Sequence, residues 1–235
     1  MKISEDTLSI LSNYATINGS LFIPAGSVLK TISEGVNILS EAKVDETFPK
    51  DFGIYDLNEF LNAISLLEDP NFNFSTDHVD IQSGNSKTKI RYGYCDPTMI
   101  KGVPKNPVKL GDPVLSLVVT KDTLKTLKKA GGVLNNPHLS LTPRFGKSEV
   151  VASVTNKEAG KGDRPFFDVI LETESVNDAK DFNSDFNMTF FIDLINKILP
   201  GEYTVDLYKA GVAIFNNKNI DLDYWVSAED KFSNL

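Results

Sequence analysis

The feature that most limits what this chain can fold into is an order of elements that occurs twice. Glu5-Asp6-Thr7-Leu8-x-x-Leu11 near the start is matched by Lys121-Asp122-Thr123-Leu124-x-x-Leu127 near the middle, with the first charge reversed. Each match opens an apolar pattern at helical spacing. The first predicted helix keeps Leu8, Leu11 and Ala15 on one face, with Ser4 as N-cap, acidic residues in its first turn and Gly19 at its end. Short alternating or β-branched runs follow at 21–23, 28–32, 36–44 and 52–55, separated by Pro- and Gly-containing turns. A second helix is expected over 56–67, then strands at 72–74, 79–81 and 88–94.

From Asp96 to Pro113 the composition shifts to Pro97, Pro104, Pro107 and Pro113 interleaved with glycines and lysines. Prolines at that density cannot sit inside a sheet, so the stretch reads as an extended connector between domains over 1–108 and 109–235. After it the plan restarts. A strand at 114–119 leads into the second copy of the helix, strands follow at 138–142, 148–154 and 166–173, and a fourth helix is expected from about Met188 to Leu199. Strands at 203–208, 212–215 and 224–226 close the chain. The period is too long for solenoid units and points to a duplicated domain, an α+β chain of two helix-plus-antiparallel-sheet halves.

The second copy of the repeated helix carries a stripe of cations. Lys121, Lys125, Lys128 and Lys129 share one arc of the helix, next to an apolar arc of Leu124, Leu127, Ala130 and Leu134. Read alone, such a stripe is an ordinary solvated face. It stands out because the chain as a whole holds 24 Lys+Arg against 32 Asp+Glu and so repels polyanions.

Catalytic and metal chemistry find no support in the residues. His78 and His138 lie in different halves outside any metal-ligand spacing, and a single cysteine, Cys95, forbids an intramolecular disulfide or a thiolate cluster. Gly146-Lys147-Ser148 lacks the earlier glycine of a phosphate loop, since Leu141 stands there. Gly131-Gly132 reads as a helix end and Gly160 to Gly162 as a loop. Asp178, Asp181 and Asp185 lack the register and glutamate of a calcium loop. No cofactor is expected. No leader-like or membrane-spanning apolar run occurs, so the expectation is a soluble protein of a reducing compartment.

Met1 to Asn18, MKISEDTLSILSNYATIN, and Ile54 to Leu67, IYDLNEFLNAISLL, resemble the corresponding stretches of the sliding clamps of T-even-type bacteriophages, the polymerase processivity factors, and Asp223 to Ala228, DYWVSA, is similar again. The likeness is weaker from Asn135 to Asn187. The resemblance implies the DNA-clamp fold, two domains per chain and three chains closed in a ring around duplex DNA, with helices lining the hole. It implies double-stranded DNA read without sequence preference, the replicative DNA polymerase and an ATP-dependent clamp loader as partners, transcription factors as further clients, and no catalysis. The place of action would be the cytoplasm of the infected host cell, with no membrane contact.

On this reading the DNA-facing residues are Lys121, Lys125, Lys128 and Lys129, with Lys197 on the fourth helix. The first two helices offer no comparable cations. The family's client-peptide pocket maps onto Val108, Leu110, Tyr224, Trp225 and Val226, although alternation along a strand prevents adjacent residues from all facing it. Two alternatives stay open: a duplicated β-rich viral interaction or structural protein that does not bind DNA, and a hydrolase whose carboxylates meet only on folding.

Overall fold

A computed structural model describes residues 1–85, 87–104, 110–144, 147–158, 165–176 and 186–235. The chain divides into two compact units, Met1–Lys105 and Asn106–Leu235.

In the first unit, helix α1 spans Glu5–Ile17. Ser4 caps it, its Oγ accepting the Thr7 N–H at 3.2 Å, and Glu5 and Asp6 occupy the first turn, where the helix dipole favours negative charge. The buried face is Thr7, Ile10, Leu11, Tyr14 and Ile17. Leu8 and Ala15, expected on that face, sit half-buried at its border instead. The larger surfaces of Ile10, Tyr14 and Ile17 rotate the helix toward themselves, because burial energy follows apolar area.

Strands β1 (Leu21–Ile23), β2 (Gly26–Ile32), β3 (Ile38–Phe48) and β4 (Phe52–Ile54) come next, with β1 antiparallel to β4 and β2 antiparallel to β3. The third strand, expected from Val36, begins at Ile38. Val36 lies in the turn at φ 57, and Ser33 Oγ accepts the N–H groups of Asn37 and Ile38 to hold that turn. Helix α2 (Leu57–Ser65) is capped by Asp56, whose carboxylate accepts the Glu59 N–H at 2.9 Å. A three-stranded antiparallel sheet of β5 (Asn71–Phe74), β6 (His78–Gln82) and β7 (Lys89–Gly93) completes the unit. Its core joins Leu11, Tyr14, Leu29, Ile38, Phe48 and Phe60, all nearly inaccessible. Phe52 packs on Phe48, Phe74 and Tyr94 at centroid distances of 5.9, 5.3 and 5.0 Å.

In the second unit, β8 (Leu115–Val119) leads into helix α3 (Lys121–Leu134), followed by β9 (His138–Pro143), β10 (Glu149–Thr155), β11 (Phe167–Val176) and β12 (Met188–Phe191). Helix α4 (Ile192–Asn196) and strands β13 (Tyr203–Tyr208), β14 (Val212–Asn217) and β15 (Leu222–Ser227) finish it. Within the unit the strands run in the order β12-β9-β10-β11-β8-β13-β14-β15, every neighbour antiparallel. The repeat is physical as well as textual. Thr120 Oγ1 accepts the Thr123 N–H at 3.2 Å, as Ser4 does for Thr7, so each D-T-L stretch lies in the first turn of the same kind of capped helix.

Two expectations fail here for stated reasons. The fourth helix does not start at Met188. Met188 to Phe191 pair with Leu141 to His138 as the edge strand β12, and the buried Thr189 Oγ1 bonds Ser140 and the Phe232 carbonyl, leaving a helix of five residues. Gly131-Gly132 does not end its helix either. The helix continues to Leu134, and Asn135 takes the left-handed C-terminal position at φ 51. Gly131 is there for proximity, since a Cβ on it would stand 2.6 Å from Ile192 Cγ1 of α4. Among the described residues no helix is long and apolar enough to cross a membrane, and no group of three metal-binding side chains forms. Residues 160–162 and Asp178, Asp181 and Asp185 lie outside the described residues.

Candidate nucleic-acid interface and docking residues

Helix α3 lies against β9, β10, β11 and α4 through Leu124, Leu127, Ala130 and Gly131. That packing turns Lys121, Lys125 and Lys129 outward, all three exposed and at successive four-residue intervals. With a rise of about 1.5 Å per residue, their backbones are spaced about 6 Å apart along one side of the helix. None of the three meets a carboxylate among the described residues. Four cations of the first unit are treated differently: Lys2 pairs with Asp69 at 2.6 Å, Lys30 with Glu41 at 2.5 Å, and Lys89 and Arg91 converge on Asp80. A row of uncompensated ammonium groups without neighbouring base-reading amides can hold phosphates and cannot select a sequence.

Lys128 is not part of that row. Its ammonium donates to the carbonyls of Ile198 at 2.5 Å and Asn196 at 3.3 Å, at the end of α4. Burial pushes its pKa down to about 8. This lysine ties α3 to α4 and completes unsatisfied helix-end carbonyls. Lys197, the C-cap residue of α4, is half-buried. Outside the second unit, the exposed sides of α1 and α2 show Glu5, Ser9, Ser12, Asn58, Glu59 and Asn62, and neither helix contains a basic residue.

The sequence-derived docking residues separate by face. Tyr224 and Val226 are wholly buried; the Tyr224 hydroxyl accepts the Leu199 N–H at 3.1 Å and its ring meets Tyr203 edge-on. These two belong to the core, because every second residue of β15 points inward. Trp225 points to the other face, half-buried opposite Ile214 of β14. Leu110 is half-buried, and Val108 lies outside the described residues.

The family described as DNA polymerase processivity factor matches residues 4–100. The sliding clamp of Vibrio phage KVP40 is 26% identical over 97% of this chain and 99% of its own length, and that of Escherichia phage RB69 is 29% identical over 90% and 89%. This chain is a DNA sliding clamp.

The clamp fold is confirmed in three dimensions. The proliferating cellular nuclear antigen of Entamoeba histolytica superposes with a TM-score of 0.70 over 94% of each chain, at 13% identity. A sliding clamp is a processivity factor and not a catalyst, which fits a site built from exposed ammonium groups. One feature of this clamp was not foreseen from its sequence, a cavity in the first unit lined by residues of β1, β2 and the stretch 97–104. Its only local signals are Pro97, Gly102 and Pro104, which keep that stretch out of a sheet.

Proposed function

We propose that three copies of this clamp join head to tail into a closed ring around duplex DNA and tether the replicative DNA polymerase to its template. The observation that carries this is the exposed row of Lys121, Lys125 and Lys129 on an otherwise acidic chain. Held by a ring, DNA needs only weak, mobile and sequence-blind phosphate contacts, which permit sliding. A head-to-tail contact between two unlike domain edges closes into a ring when its rotation allows. A closed ring cannot thread onto uninterrupted DNA, so an ATP-dependent loader opens it, and transcription factors are further clients of the assembled ring. The ring acts in the cytoplasm of the infected cell. Trp225 and Leu110, the accessible members of the mapped set, contact clients, while Tyr224 and Val226 support the strand beneath them.

The test combines mass and topology. Light scattering should give three times the chain mass, and the loaded protein should stay on nicked circular DNA and leave the same DNA once linearised. A stable monomer, or equal retention on both forms, overturns the reading.

A further inference from the structure

β12 stands at the outer edge of the second unit's sheet, where an unguarded strand presents free main-chain groups. A strap of residues 229–235 covers it. The Glu229 N–H donates to the Thr189 carbonyl at 2.7 Å, the Thr189 N–H donates to Ser233 Oγ at 3.0 Å, and Asn187 and Asn234 exchange two main-chain bonds at 2.9 Å. The Thr189 side chain, wholly buried, donates its hydroxyl to the Phe232 carbonyl at 3.0 Å. The first unit has a counterpart on the same plan. There a 3-10 turn at Pro97–Met99 accompanies the bridge of Cys95 to Gly53, as one at Asp230–Phe232 accompanies the bridge of Asn234 to Asn187.

The two differ in what lies beneath. β1 and β4 hold no histidine, whereas His138 of β9 lies under the second strap with 1% of its surface accessible. Phe232 of the strap meets its ring at 4.7 Å, and Phe191 of β12 stacks on it at 5.4 Å. Nδ1 accepts the Lys157 N–H at 3.2 Å, so the neutral ring carries its proton on Nε2, which is buried with no partner among the described residues. A second proton would have to enter at Nδ1, against an N–H that already points there. Phenyl rings attract an imidazolium, but burial outweighs them and holds the pKa below the ordinary value.

The charged residues on the surrounding elements are Lys157 and Glu158 after β10, Glu229, Asp230 and Lys231 of the strap, and Asp193 in the first turn of α4. Lys157 and Lys231 oppose an imidazolium at 138, and Glu158 favours it. Glu229 works in the opposite sense to the histidine. Burial and Asp230 raise its carboxyl above 4.5, so its contribution to the closed strap is full below 4.5 and is lost as pH rises through the raised value.

A charged ring at 138 needs water, and the cover that yields is the one held by fewest bonds. β10 is paired on both sides and β12 along all four of its residues. The strap hangs on its bonds to Asn187 and Thr189 and on an exposed ion pair of Lys231 with Glu158 at 3.7 Å. We propose that His138 is a proton-operated latch: acid charges its ring, the strap of residues 229–235 swings away as a unit, and the edge of β12 is bared. The counterpart in the first unit lacks the latch and stays closed. The latch works within a single chain and does not depend on the ring.

Amide hydrogen exchange of the full-length protein at pH 7.5 and 5.5, corrected for the intrinsic pH dependence of exchange, tests this. Protection of residues 229–235 and of Asn187 and Thr189 should fall about tenfold at the lower pH, the change that one group with an open-state pKa of 6.5 produces over that interval. Residues 95–100 and the interiors of β10 and β13 should keep their protection. His138→Phe should abolish the change. Phe232→Ala thins the cover without touching the histidine; it should loosen the strap at pH 7.5 and move the titration of the His138 ring, followed by NMR, up toward 6.5. Strap protection equal at the two pH values, an undiminished change in His138→Phe, a loss spread evenly through the second unit, or a ring titration unmoved by Phe232→Ala overturns the proposal.

Discussion

Lys128 donates its ammonium to the carbonyl of Ile198, seventy residues further along the chain, and this contact removes it from the row that Lys121, Lys125 and Lys129 form. Four lysines that share one helical arc therefore divide into three for solvent and one for the fold.

That division is measurable. Lys125→Glu combined with Lys129→Glu should reduce retention on circular DNA and lower its salt dependence, with unfolding free energy unchanged to within about 0.5 kcal/mol, the usual effect of exposed substitutions. Lys128→Met should do the opposite: binding held, stability lower by about 1 kcal/mol through the lost bonds to two carbonyls. Chemical denaturation beside a retention assay decides. A double mutant that unfolds would remove the row from the interface.

Burial gives Lys128 a further signature. Its pKa in the folded chain is about 8, below the ordinary 10.5. Between those values the unfolded chain holds more protons, so this group adds a rise in stability with pH across that window. The rise should be present in the wild-type protein and flatter in Lys128→Met, measured as urea midpoints from pH 7.5 to 10.

Two adjacent glycines should respond with opposite signs. Gly132→Ala meets nothing within 4 Å and should stabilise the protein by about 0.5–1 kcal/mol through helix propensity. Gly131→Ala forces a methyl against Ile192 and should destabilise by about 1–3 kcal/mol through overpacking. Thermal unfolding of the two variants separates these outcomes.

His138 should make the second unit sensitive to mild acid. Its ring stacks on Phe191 at 5.4 Å and meets Phe232 at 4.7 Å, its Nδ1 accepts the Lys157 N–H, and its Nε2 is buried with no partner among the described residues. Burial holds its pKa below the ordinary value; Lys157 and Lys231 act the same way, against Glu158. The imidazole is therefore neutral when folded. Its contribution is complete above the unfolded pKa of 6.5 and is lost as pH falls from there toward the folded value. His138→Phe should show a smaller loss of stability between pH 7 and 5 than the wild-type chain.

The duplicated caps offer a symmetric test. Ser4→Ala and Thr120→Ala should each lower stability by about 1 kcal/mol. The first unit adds a partner that the second lacks among its described residues: Glu46, which accepts the Ser4 N–H and the Thr7 hydroxyl. Burial would raise the Glu46 carboxyl, but the bonds from Thr7 and Ser4 outweigh it and hold its pKa below 4.5. Its contribution is present above that value and disappears as pH falls through the lowered one, so Glu46→Gln should flatten the acid limb of the stability curve.

Much of this was legible in the residues because it depends on near neighbours along the chain. The cap at Ser4, the alternation of β15 and the outward row of Lys121, Lys125 and Lys129 follow from helical and strand periodicity and from one local hydrogen bond. The repeat and the fold class follow from the same patterns, and the runs at Met1–Asn18 and Ile54–Leu67 carried the family. What remained hidden depended on partners brought in from afar. Met188 to Phe191 has an apolar pattern that suits a helix, and only pairing with β9 makes it a strand. Lys128 looks like its neighbours until the end of α4 arrives beside it, and Tyr224 and Val226 resemble Trp225 until the sheet assigns their faces.

By itself, then, the sequence determined the twofold plan, the capped helices and the cationic row, because the forces that set them act within a turn or a strand. Only the tertiary structure decided which lysine answers to carbonyls instead of solvent, where the last helix begins, and that an apolar cavity opens beside Lys101. These depend on packing between segments that the chain order keeps far apart.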